Sequence, residues 1–508
     1  MSAPEPTLSE SRGTVIVHPF LLSLYPPLFL LGQNISQTSP SVVILPIVIS
    51  VVVTVVLFVT LGWMTGSYRK AGLITSVLLC AFYFYGHTHW IIYALVPFTR
   101  TWDHAYALLG WTAAAGLLVR SLWKTTRSLN DLTLIMNVAV IVLLSITVAT
   151  LAQPGARPPK GSDLGESLAA GHSSPDRESP DVFYIVLDGF ARTDVLQTLY
   201  NYDNRPFVEA LEARGFYVAP GSHSNYALSE LSLASSLNME YLQGHLVSKP
   251  SRTTTFRLIK NNEALRTFQA LGYSFVHVVS GWQVTDTNDY ADVNIDCGAG
   301  DEFEQLLVDS TILGPFKWFL LGDRTRDRIL CSFSSLPEID SQGEQPVFVF
   351  AHIVNPHPPF LFGPDGEPVA YMQRTFGLAL DLWQHTDRYL AQVEFASAQA
   401  LTLVDALLAR PGQPPIIVLQ SDHGPASVGG WEQPNQNLIR ERMSILNAYY
   451  LPNTGAALLY PSISPVNTFR VILNQYFGFE SDLLDDESYF STYEEPYEFT
   501  DVTDILRE

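Results

Sequence analysis

Hydrophobic positions divide the chain into two unlike parts. Through about residue 152 the apolar residues come in long unbroken runs, at 15–33, 41–63, 71–97, 104–123 and 132–152, each near the ~20 residues that cross a bilayer as a helix. Five transmembrane helices are predicted, with Pro26 and Pro27 inside the first, where neighbouring helices can satisfy the freed carbonyls. Beyond them the pattern shortens to four- to eight-residue apolar runs separated by amphipathic stretches. The strands predicted there are 182–187, 215–219, 273–279, 346–353, 415–421 and 446–451. Helical periodicity fills the intervals, for example 257–271 and 389–408, and this alternation predicts a mainly parallel sheet with helices on both faces. The stretch 153–180, rich in Pro, Gly, Ser and charge, has little to bury and reads as a linker. The expected domains are thus a membrane domain over 1–152, the linker over 153–180, and one α/β domain with an acidic tail over 181–508.

Charge orients the membrane part. Arg69 and Lys70 follow the second run and Arg120, Lys124 and Arg127 follow the fourth, whereas 34–41 carries no charge, so the basic loops are expected in the cytoplasm. With five spans, the residues from about 153 onward then lie outside the cell (inner) membrane. A net charge of −21 excludes nucleic acid as a natural partner. Much of that acidity falls in the tail, from Asp482 to Glu498, which reads as a solvated surface. Of three cysteines, Cys80 lies in the third run, while Cys297 and Cys331 are expected in an oxidising compartment and form a candidate disulfide.

Candidate chemistry sits at strand ends. The run 182–187 ends in Asp188-Gly189, and 416–419 leads through Gln420 and Ser421 into Asp422-His423-Gly424. Acidic residues at the carboxyl edge of a parallel sheet point into the crevice where ligands bind, so two Asp and a His there suggest a divalent metal. The plain alternative is that each Asp caps a turn. Ser229, at the start of an expected helix, offers a hydroxyl that helix amides and a metal could activate, with Ser232 or Ser224 as alternatives and a simple N-cap as the bland reading.

The order Asp188-Gly189, Ser229-x-x-Ser232-x-Ala234-Ser235, His352-Ile-Val-Asn-Pro-His357-Pro, Asp422-His423-Gly424 resembles the alkaline phosphatase and sulfatase superfamily over roughly residues 181–452. The resemblance implies an alkaline-phosphatase-like α/β domain in which Asp188, Asp422, His423 and the Ser229 hydroxyl hold a metal, and two carboxylates, one imidazole and one alkoxide suit zinc or manganese. It also implies that Ser229 is the nucleophile, with His357, and His352 beside it, holding a substrate oxygen or protonating the leaving group. Sulfatases carry Cys or Ser, x, Pro, x, Arg at the nucleophile for conversion to formylglycine. Here the residues are Ser229, Glu230, Leu231, Ser232 and Leu233, without the Pro and Arg, which argues against that conversion. An unmodified hydroxyl behind membrane spans is similar in plan to phosphoethanolamine transferases and lipoteichoic acid synthases. Gly189 stands where two-metal phosphatases often have a second Asp, and no His follows His423, which argues against a second metal. Trp282, Arg192 and His385 are further candidates for the substrate cleft, each with a packed or surface role as its alternative.

The expected activity is a membrane-bound, metal-dependent transfer of a phospho-alcohol group from a phospholipid donor to an envelope glycan or lipid acceptor, through a phospho-serine. A phosphoester or sulfate ester hydrolase with water as acceptor is the rival, and a catalytically silent envelope-assembly protein stands outside both.

Overall fold

A computed structural model describes residues 14–34, 40–95, 103–151, 179–244, 252–297, 302–317, 323–339, 345–369, 382–453 and 457–507. The chain forms two compact units, one of residues 1–157 with 301–322, the other of 158–300 with 323–508. The expected linker falls outside the described residues except for its last two.

The first unit holds the helices α1 (His18–Asn34), α2 (Ile44–Thr65), α3 (Tyr68–Tyr83), α4 (Tyr85–Leu95), α5 (Asp103–Lys124) and α6 (Asn130–Leu151). Among the described residues three helical segments, Ser41–Thr65, Ala105–Lys124 and Asn130–Leu151, are long and apolar enough to cross a membrane, not the five expected. α1 has 17 residues, about 25 Å at 1.5 Å per residue, less than the ~30 Å hydrocarbon core. The third expected span is broken at Phe84 into helices of 16 and 11 residues. The break has a visible cause. The Phe82 carbonyl, which a continuous helix would offer to Gly86, accepts instead from the Ile312 N–H at 2.8 Å. Gly86 lies so close to the Asp309 carbonyl that a Cβ would meet it. The helix Glu302–Ser310 therefore belongs to this unit, with Phe303 and Leu307 in one cluster with Leu22, Leu79, Tyr83 and Val140. Polar ties join the apolar helices: the Asn137 side chain accepts from the backbone of Val17 and His18 and donates to the Val15 carbonyl, while His18 Nδ1 meets Ser76 Oγ at 2.6 Å.

The second unit is built on a seven-stranded sheet of β1 (Val182–Leu187), β2 (Tyr217–Val218), β3 (Ser274–Val278), β4 (Val293–Ile295), β5 (Val347–Ile353), β6 (Ile416–Gln420) and β7 (Asn447–Tyr450), in the order β2-β7-β6-β1-β5-β3-β4. β6-β1-β5-β3-β4 are parallel, and β7 pairs antiparallel with both β6 and β2. This is the mixed, mainly parallel sheet with helices on both faces that the sequence pattern predicts. All six predicted strands form, and the short edge strand β4 is additional. Every residue of β1, β5 and β6 is buried, which is why these strands read as continuous apolar runs. The predicted helix 257–271 is two helices, because Asn262 caps a fresh start by accepting from the Leu265 N–H at 2.7 Å. Four further helices matter for the site: α7 (Ser229–Asn238), α8 (Thr386–Leu408), α9 (Gln436–Met443) and α10 (Thr468–Phe477).

The register aligns Leu187 with Ile353 and Val186 with both His352 and Gln420. The carboxyl ends of β1, β5 and β6 thus finish side by side, and the residues that follow them share one edge of the sheet.

Candidate metal centre and nucleophile

At that edge the turn after β1 carries Asp188 and the turn after β6 carries Asp422 and His423, all three buried. Their ligating atoms lie within 4.8 Å of one another. Gly189, at φ +79°, takes a left-handed turn, and a Cβ there would lie 2.7 Å from Trp383. Its N–H donates to Asp422 Oδ1 at 3.2 Å, tying the two acidic turns together. Asp422 Oδ1 also accepts from the His423 N–H at 3.0 Å. Ser421 Oγ accepts from the Phe190 N–H and donates to the His423 carbonyl.

The other oxygens are left over. Asp188 Oδ1 and Asp422 Oδ2 are buried and accept no hydrogen bond. His423 Nδ1 donates to the Gly424 carbonyl at 2.9 Å, which leaves the Nε2 lone pair facing outward. That nitrogen stands 3.3 Å from Asp422 Oδ2 and 3.6 Å from Asp188 Oδ1. Three electron-rich atoms converge there, and a divalent cation would satisfy all three at once. Burial and the nearby Asp188 carboxylate push Asp422 up to about 7. For Asp188 burial acts in the same sense, but His357, His352 and His423 outweigh it and hold the carboxyl well below its usual range. Burial and then Arg442 keep His423 far below the ordinary imidazole range, so the ring is neutral, the form in which an imidazole can bind a metal. The residues present thus fit a divalent metal.

Ser229 meets this cluster from the opposite side. It is the first residue of α7, and Leu228, in extended conformation, occupies the capping position, so the Ser229 hydroxyl is not used as a cap. Its Oγ donates to His423 Nε2 at 2.8 Å. Ser224 to Leu228 and Glu230 to Ser236 are buried, whereas Ser229 is half-buried and open to a reactant. The alternatives are otherwise engaged: Ser224 Oγ bonds the carbonyls of Tyr226 and Asp422, and Ser232 Oγ accepts from Ser224.

His352, on β5, brings Nε2 to 3.4 Å from Asp188 Oδ2, with Nδ1 2.9 Å from Thr285 Oγ1. Trp282 packs edge-on against the His352 ring, with centroids 5.3 Å apart. His357 is anchored by its N–H to the Asp188 carbonyl at 3.0 Å; its half-buried ring lies against Trp383 and 6.2 Å from the His423 ring. Arg192 goes elsewhere. Its guanidinium grips Asp194 through two bonds and also meets the Ser222 carbonyl and His223. His385 precedes α8 and bonds the Leu382 carbonyl through its backbone; among the described residues no hydrogen bond joins its ring to the cluster.

Sequence reasoning missed the supports. Tyr389, on α8, spans Gly189 and Ala191, accepting from the Ala191 N–H and donating to the Gly189 carbonyl. The acidic tail is not simply solvated: Asp486 accepts from Tyr460, Ser462 and the Ser464 N–H, and Ser488 Oγ donates to the Ser224 carbonyl, buttressing the segment that leads to Ser229. Cys297 and Cys331 are joined in a disulfide, with Cα atoms 6.0 Å apart. A network of this kind leaves no local sequence signal beyond polar residues at apolar positions.

Comparison with known proteins follows the same lines. Residues 180–461, more than half the chain, match the Sulfatase family model. Similar solved structures include the C-terminal periplasmic domain of EcEptC from Escherichia coli in complex with Zn (11% identity, 65% of this chain and 94% of that one, TM-score 0.42). The integral membrane protein lipooligosaccharide phosphoethanolamine transferase A from Neisseria meningitidis matches over 91% of this chain and 96% of its own (11% identity, TM-score 0.38). The putative sulfatase yidJ from Bacteroides fragilis matches over 63% and 83% (14% identity, TM-score 0.41). No curated protein matches. The family match spans β1 through β7, every strand that carries or flanks the acidic cluster, and the chain belongs to the sulfatase family.

Proposed function

We propose that this protein is a membrane-bound, metal-dependent transferase that moves a phospho-alcohol group from a phospholipid donor to an envelope glycan or lipid. The observation that carries the reading is the half-buried Ser229 hydroxyl, 2.8 Å from His423 Nε2, at the N-terminus of α7 and beside two unpartnered carboxylate oxygens. Asp188, Asp422, His423 and Ser229 would hold zinc or manganese. When bound, such an ion supplies positive charge that makes a hydroxyl more acidic and offsets charge gathering on a phosphoryl group.

The residues then divide the work. Ser229 Oγ attacks phosphorus; a bond forms from Ser229 to phosphorus as the bond to the lipid alcohol breaks, leaving Ser229 joined through phosphate to the headgroup alcohol and releasing a diacylglycerol-type alcohol. The proton lost by Ser229 passes to the departing alkoxide, with His357 as the donor facing it. The acceptor hydroxyl repeats the displacement in the opposite sense, returns a proton to Ser229 Oγ, and leaves as the phospho-alcohol ester. First-turn N–H groups of α7 stabilise the phosphoryl oxygens in both steps. His352, against Asp188 and Trp282, orients that carboxylate or a substrate oxygen.

The missing Pro and Arg of the formylglycine motif favour phosphoryl over sulfate transfer. Three membrane-capable helices favour a donor that itself resides in the membrane. An extracytoplasmic catalytic domain agrees with the Cys297–Cys331 disulfide. It agrees too with Lys70 Nζ bonding the Trp123 carbonyl at 3.0 Å, which brings the two basic loops to one end of the helical unit.

The test is the full-length protein in lipid nanodiscs, loaded with zinc or manganese and given a phospholipid with a labelled headgroup. Expected are a phospho-alcohol adduct mapped to Ser229 and label passed on to an added glycan or lipid acceptor. Adduct followed by release of free phospho-alcohol to water alone makes the protein a hydrolase; metal binding without adduct overturns the covalent mechanism.

A further inference from the structure

Arg442, on α9, is 1% exposed, one of the largest side chains buried in the protein. A buried cation is costly unless something offsets it, yet no carboxylate pairs with Arg442 within 4.0 Å among the described residues. Its neighbour Glu441 is occupied by Tyr200, Ser427 and the Val428 N–H. What Arg442 holds are two carbonyls. Nε donates to Ala227 at 2.8 Å and Nη1 to Gly424 at 2.9 Å, with the guanidinium stacked 5.0 Å from the Trp431 ring.

Both carbonyls adjoin the reacting groups. Ala227 lies two residues before Ser229 on the segment that enters α7. The Gly424 carbonyl is also the acceptor of His423 Nδ1, at 2.9 Å. A carbonyl oxygen has two lone pairs, so one oxygen serves both the guanidinium and the imidazole. The Gly424 N–H returns a bond to the Arg442 carbonyl at 2.6 Å, closing the arrangement. One rigid fork thus links the segment bearing the nucleophile to the segment bearing the imidazole ligand, although Ser229 and His423 are 194 residues apart.

Resting on the function proposed above, we propose that Arg442 is the positioning residue that sets Ser229 Oγ against His423 Nε2 and fixes that imidazole, through Gly424, in the orientation that presents Nε2 to the metal. Groups that orient a ligating histidine from behind change metal affinity roughly ten- to hundredfold when removed. A lysine keeps the charge but cannot span two carbonyls in a fixed fork.

The experiment compares Arg442→Gln and Arg442→Lys with the wild type, all full-length in nanodiscs, by zinc and manganese titration, rate of adduct formation on Ser229, and thermal unfolding. Arg410→Gln is the control, since Arg410 pairs with Asp181 and bonds the Ile339 carbonyl away from the site. Expected for both Arg442 variants are a metal Kd raised about tenfold or more and kcat lowered about tenfold or more, with the donor KM within about twofold. Arg410→Gln should lower Tm alone. Arg442→Gln with wild-type Kd and kcat overturns the assignment, as does an Arg442→Lys variant that restores both, which would make charge rather than the fork the active feature. Wild-type protein that hydrolyses without transferring changes the proposed function and leaves the expected change in metal Kd in place; wild-type protein that binds no divalent metal overturns both.

Discussion

Gly424 is where the site should be most sensitive to a single carbon. A Cβ added there would lie 2.1 Å from the Glu441 carbonyl oxygen, against the 3.0 Å below which real Cβ contacts essentially do not occur. The obstacle is backbone and cannot swing away, so Gly424→Ala must move the turn by about 0.9 Å, the difference between those distances. A shift of that size takes the 2.6 Å bond from the Gly424 N–H to the Arg442 carbonyl to the limit of hydrogen bonding, and weakens the two bonds its own carbonyl accepts. Overpacking costs about 1–3 kcal/mol and each of the three weakened bonds about 1 kcal/mol, roughly 4–6 kcal/mol together. For a domain of this size that is a fall in Tm on the order of 10 °C. Thermal unfolding and zinc titration of the full-length variant measure it, and metal affinity should fall with Tm because His423 is the preceding residue. Gly244→Ala, with no atom within 4 Å of the added carbon, serves as the control. A Gly424→Ala protein with wild-type Tm and metal affinity would refute the reasoning.

Ser229→Ala should abolish adduct formation and turnover while metal content stays within about threefold, because two carboxylates and His423 remain; full activity by headgroup release would reject Ser229 as nucleophile. Cys297→Ser with Cys331→Ser opens a loop of 34-residue separation, an expected loss of about 4 kcal/mol, read as a lower Tm without reductant and no further fall when reductant is added. In metal-free protein Asp422 stands at about 7 against an ordinary 3.8, so the folded state binds its proton more tightly than the unfolded chain. Its contribution to stability is complete below about pH 4 and lost as pH rises through about 7, while metal affinity, which needs the carboxylate, rises over the same interval. Calorimetry from pH 4 to 8 with and without zinc should give opposite trends; parallel curves would contradict the assignment of Asp422 to the metal.

Much of the fold was legible because burial on both faces leaves a plain mark. β1, β5 and β6 are apolar throughout, and such strands end where polarity returns, so Asp188 and Asp422-His423 announce their own places at the sheet edge. Ser229 at a helix start and the pair His352 and His357 were legible for the same local reason. Apolar length alone predicts more long helices than the described residues hold: run length carries no record of Ile312 capturing the Phe82 carbonyl and breaking the helix there. Of the two roles open to Arg192 in the sequence, a phosphate contact or a surface charge, its ion pair with Asp194, two residues away, fits the second.

What the sequence by itself determined is the set of elements and the chemistry placed at their ends, because strand, turn and helix preferences act over a few residues and a buried parallel strand tolerates few polar ones. Tertiary structure alone decided which ends converge and what holds them: the parallel register that sets Asp188 beside Asp422, the 194 residues folded away between Ser229 and His423, and the guanidinium of Arg442 reaching the Gly424 carbonyl that His423 also uses. Those pairings depend on side chains meeting across packed layers, and no local pattern encodes a meeting between distant segments.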